Sequence, residues 1–227
     1  MHAVGDDAFR WARTAKATGW LGIGSSVLIF VPVIAISSLG EPPLEASTPD
    51  VATFFQDADT AWVQAAQATT SLGMVAFLWF VVGIAAVLRR AEGEPAWRST
   101  IALVSGVLVA TYGVLDASWD AAIHRGDEID PGLAAYAFDV GNLGFANAWL
   151  AVASLAVAAG WVTLGTGVFP RWTGWCALTA GVGLVVARYL WFVEGLWFAP
   201  YALFWVWAIG VSVLLLRRPV ERVAPLS

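Results

Sequence analysis

The sequence has little charge and almost no cysteine or histidine, and each shortage excludes a class of protein. Only 13% of its 227 residues are charged, 59% are hydrophobic and the mean hydropathy is +0.72. This composition excludes an ordinary soluble domain. The single cysteine, Cys176, excludes an intramolecular disulfide. The absence of a CxxC motif, a histidine cluster and a glycine-rich phosphate loop leaves the common soluble-enzyme motifs without support.

Apolar runs of about 20 residues, long enough to cross a bilayer, recur along the chain. We predict an all-α, polytopic integral membrane protein with one membrane domain over residues 1–227. Its six-transmembrane-helix bundle is predicted to have spans at residues 18–39, 69–88, 100–119, 140–164, 172–193 and 198–216. A short helix on the outer surface is predicted at 49–59, because the sequence Ser47-Thr48-Pro49-Asp50 provides a hydroxyl cap, a proline in the first turn and an acid at the positive end of the helix dipole.

Basic residues are missing from alternate connections, and this asymmetry predicts an orientation. Residues 40–68 and 126–131 are acidic and contain no lysine or arginine. Ten of the twelve basic residues lie at the other ends of the predicted spans: Arg10, Arg13, Lys16, Arg89, Arg90, Arg98, Arg171, Arg217, Arg218 and Arg222. The positive-inside rule therefore predicts a multi-pass protein of the plasma membrane with both termini in the cytoplasm.

The stretch VLDASWDAAIHR, residues 114–125, carries charge directly after an uncharged apolar run. Asp116, Asp120 and His124 are four residues apart, so a continuous helix would place them on one face. A carboxylate at membrane depth is costly unless it is paired, protonated or faces water, which makes it a functional candidate. The alternatives are a helix cap in the headgroup region and a magnesium or calcium site. Our expectation is that the protein holds no metal and no cofactor.

Two other segments carry polar groups at the predicted outer ends of the spans, and we expect them to join the same pocket. Arg188 is expected to contact Asp116 or Asp139, either as a structural ion pair or within a binding site. Asn142 and Asn147 would bind substrate or hydrogen-bond between helices. The aromatic wall is predicted to comprise Trp119, Trp149, Tyr189, Trp191, Trp197, Tyr201 and Trp205. Ordinary packing and an interfacial aromatic belt are the alternatives for these rings.

These residues lead to the hypothesis of an acid-catalysed membrane enzyme of the cyclase or isomerase type, a terpene cyclase candidate. Asp116 or Asp120 would protonate a lipophilic, isoprenoid-like substrate, with Asp139 or Glu194 as partner and aromatic faces stabilising the cation. The alternatives are a non-enzymatic binder or transporter, or an accessory subunit with small-residue faces near residues 106–113 and 181–183. The expected partners are the lipid bilayer and a lipophilic small molecule, not nucleic acid, and the oligomeric state is left open.

Four short motifs carry a resemblance to a family. They are LRRAEGEP at 88–95, FDVGNLGFANA at 138–148, FPRWTGW at 169–175 and VSVLLLRRP at 211–219. The chain resembles the uncharacterised six-helix integral membrane proteins common in actinobacteria over nearly its whole length. The resemblance implies the six-helix fold and its topology, and implies no activity. DASWDAAIHR and ARYLWFVEGLWF depart from the family pattern, so a specialised site is expected at the outer end.

Overall fold

The computed structural model describes residues 2–193 and 195–217, with side chains from residue 10 onward, and every regular element in these ranges is helical. In chain order the elements are α1 (His2–Ser37), α2 (Thr48–Ala58), α3 (Ala61–Glu92), α4 (Trp97–Leu115), α5 (Ser118–Arg125), a 3₁₀ turn (Gly126–Glu128), α6 (Pro131–Thr166), α7 (Arg171–Tyr189) and α8 (Phe198–Leu216). Arg218 and Arg222, which contribute to the predicted orientation, lie outside the described residues.

Five helical segments are long and apolar enough to cross a membrane, which fits a helical membrane bundle. They are Arg10–Ser37, Ala61–Glu92, Trp97–Glu128, Pro131–Thr166 and Phe198–Leu216. Helix α7 has 19 residues and is therefore about 28 Å long, close to the hydrocarbon thickness of a bilayer. Its arginines, threonines and glycines lower its hydropathy, so the sixth span stays a prediction.

The long helices form a closed ring in which α1, α3, α4, α6, α7 and α8 each contact the next and α8 contacts α1. Helices α3 and α6 also meet across the ring. Close approach depends on glycine: a Cβ atom at Gly160 of α6 would lie 2.8 Å from the carbonyl oxygen of Gly174 in α7. The predicted small-residue faces are also used within the chain, because Gly106 faces Val81 and Gly181 faces Val157. These glycines therefore serve contacts between helices of the same chain.

A second apolar cluster lies where α1 and α4 end and α3 and α6 begin, and it forms what we call the cap: α2, α5, the 3₁₀ turn and residues 131–138 of α6. Its buried side chains include Phe54, Phe55, Ile123, Ile129 and Phe138, and Val63 of α3 packs among them. Helix α6 reaches the cap because it has 36 residues, whereas α7 and α8 have 19 each. At 1.5 Å per residue, α6 extends about 24 Å past Asn147, the residue that α7 contacts near its end.

The helix that enters the stretch VLDASWDAAIHR ends within it, although the sequence predicts a continuous helix there. Helix α4 ends at Leu115, and Asp116 has an extended backbone with φ −74° and ψ 105°. The Asp116 carboxylate accepts hydrogen bonds from the Ser118 amide at 3.2 Å and from the Ser118 hydroxyl at 2.8 Å. Such local bonds compete with helical ones and favour a turn. The prediction of Asp116, Asp120 and His124 on one continuous helical face is therefore wrong.

The N-termini of α2 and α6 differ in whether a side chain accepts hydrogen bonds from the free backbone amides of the first turn. The hydroxyl of Ser47, the residue at the cap position of α2, donates to the Asp50 carboxylate at 2.6 Å and caps no backbone amide, so Ser47 does not provide the predicted hydroxyl cap. At α6 the Asp130 carboxylate accepts from the amides of Gly132 and Leu133, and Pro131 occupies the first turn. Asp130 thus fixes the end of α6 that supports the cap.

Candidate functional site

An open cleft of about 230 Å³ lies where α1, α3 and the end of α4 meet the cap. Three carboxylates line it: Glu41 from the α1–α2 loop, Asp116 from the α4–α5 break and Asp120 from α5. The remaining lining residues are Val33, Ile36, Ser37, Phe54, Gln67, Thr70, Ser71, Gly113 and Trp119. No lysine, arginine or histidine is among these lining residues, so the cleft carries an acidic field.

Asp116 and Asp120 are held at the mouth of the cleft by the local fold around the helix break. Asp116 is half-buried and fixed by its two bonds from Ser118. Asp120 is exposed in the first turn of α5, and its carboxylate is close enough to that of Asp116 for their charges to repel. The Tyr112 hydroxyl, which also interacts with Asp116, donates to the Gly141 carbonyl at 3.2 Å and ties the break to α6.

Glu41 and Gln67 belong to the cleft but were not singled out from the sequence. Glu41 is exposed as a residue, yet it lines the cleft, and burial of its carboxyl raises the pKa above the ordinary 4.5. The sequence does contain a signal for the α3 side of the cleft. Gln67 follows Gln64 by three residues and Ser71 follows Gln67 by four, so the three side chains share a face of α3. Thr70 lies beside them and also lines the cleft.

Trp119 borders the cleft but is mainly part of the cap. Its ring stacks on Phe138 with centroids 5.6 Å apart and planes at 17°, and the rings of Phe54 and Phe55 meet it edge-on at the same distance. Gly141 of α6 leaves room for the indole. The indole Nε1 is buried and has no hydrogen-bond partner among the described residues. One face of the ring is thus occupied by protein.

Asp139 and Asn142, predicted to join the same pocket, lie outside the acidic cleft. Asp139, Asn142 and Trp191 line a surface hollow of about 180 Å³ together with Leu44 and Leu143. Asn142 donates to the Phe138 carbonyl at 3.1 Å within its own helix. Neither Asp139 nor Asn142 lines the acidic cleft. Glu194, predicted as a catalytic partner, lies outside the described residues.

Arg188 does not make the ion pair expected of it. Its Nε donates to the Asn147 amide oxygen at 2.9 Å, and no ion pair of Arg188 is found in residues 2–193 and 195–217. The reason is register: the last turn of α7 is level with Asn147, whereas Asp139 lies eight residues, or about 12 Å, farther along α6. The predicted pairing with Asp116 or Asp139 is therefore wrong.

Most of the predicted aromatic wall forms an internal column between α6 and α8. Trp149 stacks on Trp197 at 5.7 Å, and Tyr201 and Trp205 continue the contacts into the bundle. Trp149 and Trp205 are buried in the main core. These four rings pack against one another and none lines the cleft, which favours the packing alternative. Tyr189 lies apart from the column, exposed at the end of α7.

The metal-site alternative finds no ligand set in the described part of the chain. No group of three histidine, cysteine, aspartate or glutamate side chains is placed there to hold an ion. His124 is exposed and does not line the cleft. The helix break explains this, because it separates Asp116 from the face that carries Asp120 and His124.

Comparisons with protein-family models, with curated proteins and with solved structures find no match. The fold nevertheless defines a class. Five of the six helices in the closed ring are long and apolar enough to cross a membrane, which indicates a multi-pass helical membrane protein. Its acidic cleft lies at the end of the ring that carries the cap.

Proposed function

We propose that the protein binds a small amphiphilic cation in the acidic cleft, without chemical turnover. One observation carries this proposal: Glu41, Asp116 and Asp120 line one cleft together with apolar side chains and no basic residue. A positively charged head group would neutralise carboxylates that otherwise repel one another. Val33 and Ile36 of α1, which line the same cleft, would contact the apolar part of the ligand.

The cleft is accessible to a ligand dissolved in the bilayer. Val33 is 41% exposed on the surface of α1, within a segment that is long and apolar enough to cross the membrane. Gln67, Thr70 and Ser71 continue the lining along α3. A molecule with its tail in the lipid could therefore slide its head group toward Asp116 and Asp120. This arrangement suits an amphiphile better than a fully water-soluble cation.

The acid-catalysed cyclase or isomerase acting on an isoprenoid-like substrate is the second candidate. Glu41 favours it, because a carboxyl with a raised pKa keeps its proton at weakly acidic pH. Catalysis of this type also needs an enclosed site with free aromatic faces. Here Asp120 is exposed and one face of Trp119 is covered by Phe138. This geometry supports binding more strongly than chemistry.

The test compares decyltrimethylammonium with decyl sulfate as probes for the protein in lipid nanodiscs, by calorimetric titration with empty nanodiscs subtracted. We expect selective binding of the ammonium. Asp116→Asn combined with Asp120→Asn should weaken it at least tenfold, about 1.4 kcal/mol, because close charges interact by this order in a partly desolvated site. Asp127→Asn is the matched control: it removes an exposed cap charge outside the cleft and should leave affinity unchanged.

Equal binding of both probes, or unchanged affinity in the double variant, would contradict the cation site. Substitutions of the same two aspartates also distinguish the acid-catalysed enzyme from the cation-binding protein. Formation of a cyclised product from an isoprenoid epoxide, lost in Asp116→Asn or Asp120→Asn at unchanged thermal stability, would favour the enzyme. Substrate turnover that survives both changes would exclude these two aspartates as the acid.

We also propose that the protein lies in the plasma membrane with both termini in the cytoplasm and the cap outside. Arg89, Arg98 and Arg171 support this orientation, because they lie at the ends of α3, α4 and α7 that are remote from the cap. Two of the three loops on the cap side, at residues 38–60 and 116–130, carry a net negative charge.

A further inference from the structure

The α7–α8 hairpin ends beside residues 139–147 of α6, because Arg188 contacts Asn147 and Trp191 lines a surface hollow with Asp139 and Asn142. Helices α7 and α8 have 19 residues each, about 28 Å, which matches the hydrocarbon core of a bilayer. Their connection is level with Asn147 of α6, which receives the hydrogen bond of Arg188. The other side of the ring continues past this level into the cap. The connection is therefore placed at the depth where the hydrocarbon core ends.

This connection exposes large apolar side chains where a loop in water would carry polar ones. We define the hairpin tip as residues 189–193 and 195–198. The relative exposures are 73% for Tyr189, 67% for Phe192 and 64% for Phe198, and Leu190, Val193 and Leu196 are also exposed. The loop at the end of the cap differs, because it presents Asp127, Glu128 and Asp130. The hairpin tip and the acidic loop of the cap, both on the cap side of the molecule, thus face different surroundings.

Part of the backbone of the hairpin tip is hydrogen-bonded within the tip, which lowers the cost of placing it in a low-polarity environment. The amides of Leu190 and Val193 donate to the carbonyls of Val186 and Leu190 at 3.0 and 2.9 Å. Those of Leu196 and Phe198 donate to the carbonyls of Val193 and Gly195 at 3.2 and 3.1 Å. Gly195 allows this succession of tight turns through its left-handed φ of +74°.

We propose that the hairpin tip is a lipid-binding surface that lies in the boundary between head groups and acyl chains, in the leaflet on the cap side. Aromatic and aliphatic side chains favour this boundary, and the tip continues the lipid-facing surface of α8 without a polar interruption among its described residues. The membrane surface would then cross the molecule near Asn147 and Arg188. This inference is independent of the cleft and of what binds there.

The test uses bimane fluorescence of single-cysteine variants in lipid vesicles, in a Cys176→Ser background. Labels at Phe192→Cys and Phe198→Cys report on the tip, Asp127→Cys on the acidic loop of the cap and Leu108→Cys on the lipid-facing middle of α4. We expect lipids brominated near the head group to quench the tip labels most. Lipids brominated deep in the chain should quench Leu108 most, and iodide should quench Asp127 at least threefold more than the tip.

Two results would overturn the proposal. Iodide quenching of both tip labels as strong as that of Asp127 would place the tip in water. Protection of the tip from iodide and from brominated lipids together would indicate a protein cover, such as a second copy of the chain. The second tip position guards against a single disruptive substitution, and monodispersity in detergent checks that each variant is folded.

Discussion

At the cleft, Glu41 gives the binding site its own pH response. Its pKa is raised above 4.5 by burial, so the neutral carboxyl persists as the pH rises past that value. Affinity for decyltrimethylammonium should therefore increase as the pH passes the raised pKa, and Glu41→Gln should remove this part of the increase. Glu45→Gln, an exposed change in the same loop and outside the cleft, should keep it. Titrations between pH 4 and 8 measure both.

The Glu41 carboxyl also makes the stability of the fold depend on pH, and here a rise in pH lowers stability whereas it increases affinity. The folded state binds the Glu41 proton more tightly than the unfolded chain does, so stability falls as the pH rises from 4.5 through the raised pKa, and levels off above it. Glu41→Gln should flatten that decline in thermal-unfolding midpoints. A decline of the same size in the variant would show that another group causes it.

The contact between Arg188 and Asn147 predicts which pairs of substitutions are coupled. Arg188→Leu and Asn147→Leu share one hydrogen bond, so their double-mutant cycle should give a coupling of about 0.5–1.5 kcal/mol. Arg188→Leu and Asp116→Leu share no partner in the described contacts and should be additive. Thermal unfolding in one detergent measures both cycles. Coupling only in the second cycle would restore the ion pair that the sequence suggests.

Both members of this contact are singled out by the sequence, but not as partners. Polarity at membrane depth marks Arg188 and Asn147 as inward-facing candidates, and charge alone favours a carboxylate as the partner of an arginine. The actual partner depends on the relative height of α6 and α7. That height follows from a short turn and a glycine contact rather than from charge.

Among the helices, the α6–α7 crossing should be the most sensitive to added volume. Gly160→Ala would place a Cβ atom 2.8 Å from the Gly174 carbonyl oxygen, a backbone atom that moves only if the helices separate. We expect a loss of about 1–3 kcal/mol. Gly24→Ala in α1 is the control, because its Cβ atom meets nothing within 4 Å, and it should be neutral or slightly stabilising. Equal thermal midpoints for the two variants would contradict this packing.

The break at Asp116 shows where periodicity fails as a guide to an element. Residues 100–119 are apolar enough to predict one helix, and spacing by four then aligns Asp116, Asp120 and His124. Two local hydrogen bonds between Asp116 and Ser118 favour the break, and a hydropathy pattern does not register such bonds. The aspartates still reach one cleft, because the turn directs both toward α3. Glu41 joins them through the path of a loop, which the sequence leaves open.

For the molecule as a whole, the proposed orientation can be tested with two cysteines. In a Cys176→Ser background, Glu94→Cys lies in the α3–α4 loop and Asp127→Cys in the acidic loop of the cap, and both positions are exposed. In intact cells a membrane-impermeant maleimide should label only Asp127→Cys. Permeabilised cells should show labelling of both, which controls for reactivity. Labelling of Glu94→Cys alone in intact cells would reverse the orientation.

The bundle follows from the sequence more directly than the cap does. Long apolar runs predict the membrane-spanning class, and the structure provides five helices that fit it. A short surface helix is predicted at 49–59, and α2 occupies Thr48–Ala58. The cap as a unit is not predicted, because its core joins Phe55, Ile123 and Phe138 from distant parts of the chain. Such contacts depend on how far α6 extends beyond its neighbours.

The composition of α7 bears on how the chain enters the membrane during synthesis. This helix contains three glycines, two threonines and an arginine near each end, so its own transfer into lipid is only weakly favourable. The strongly apolar α8 follows after eight residues and packs against it. We expect a nascent chain that stops at Tyr189 to release α7 from the membrane, and a chain that includes α8 to retain both. The last two helices would then be inserted by the translocon as one hairpin.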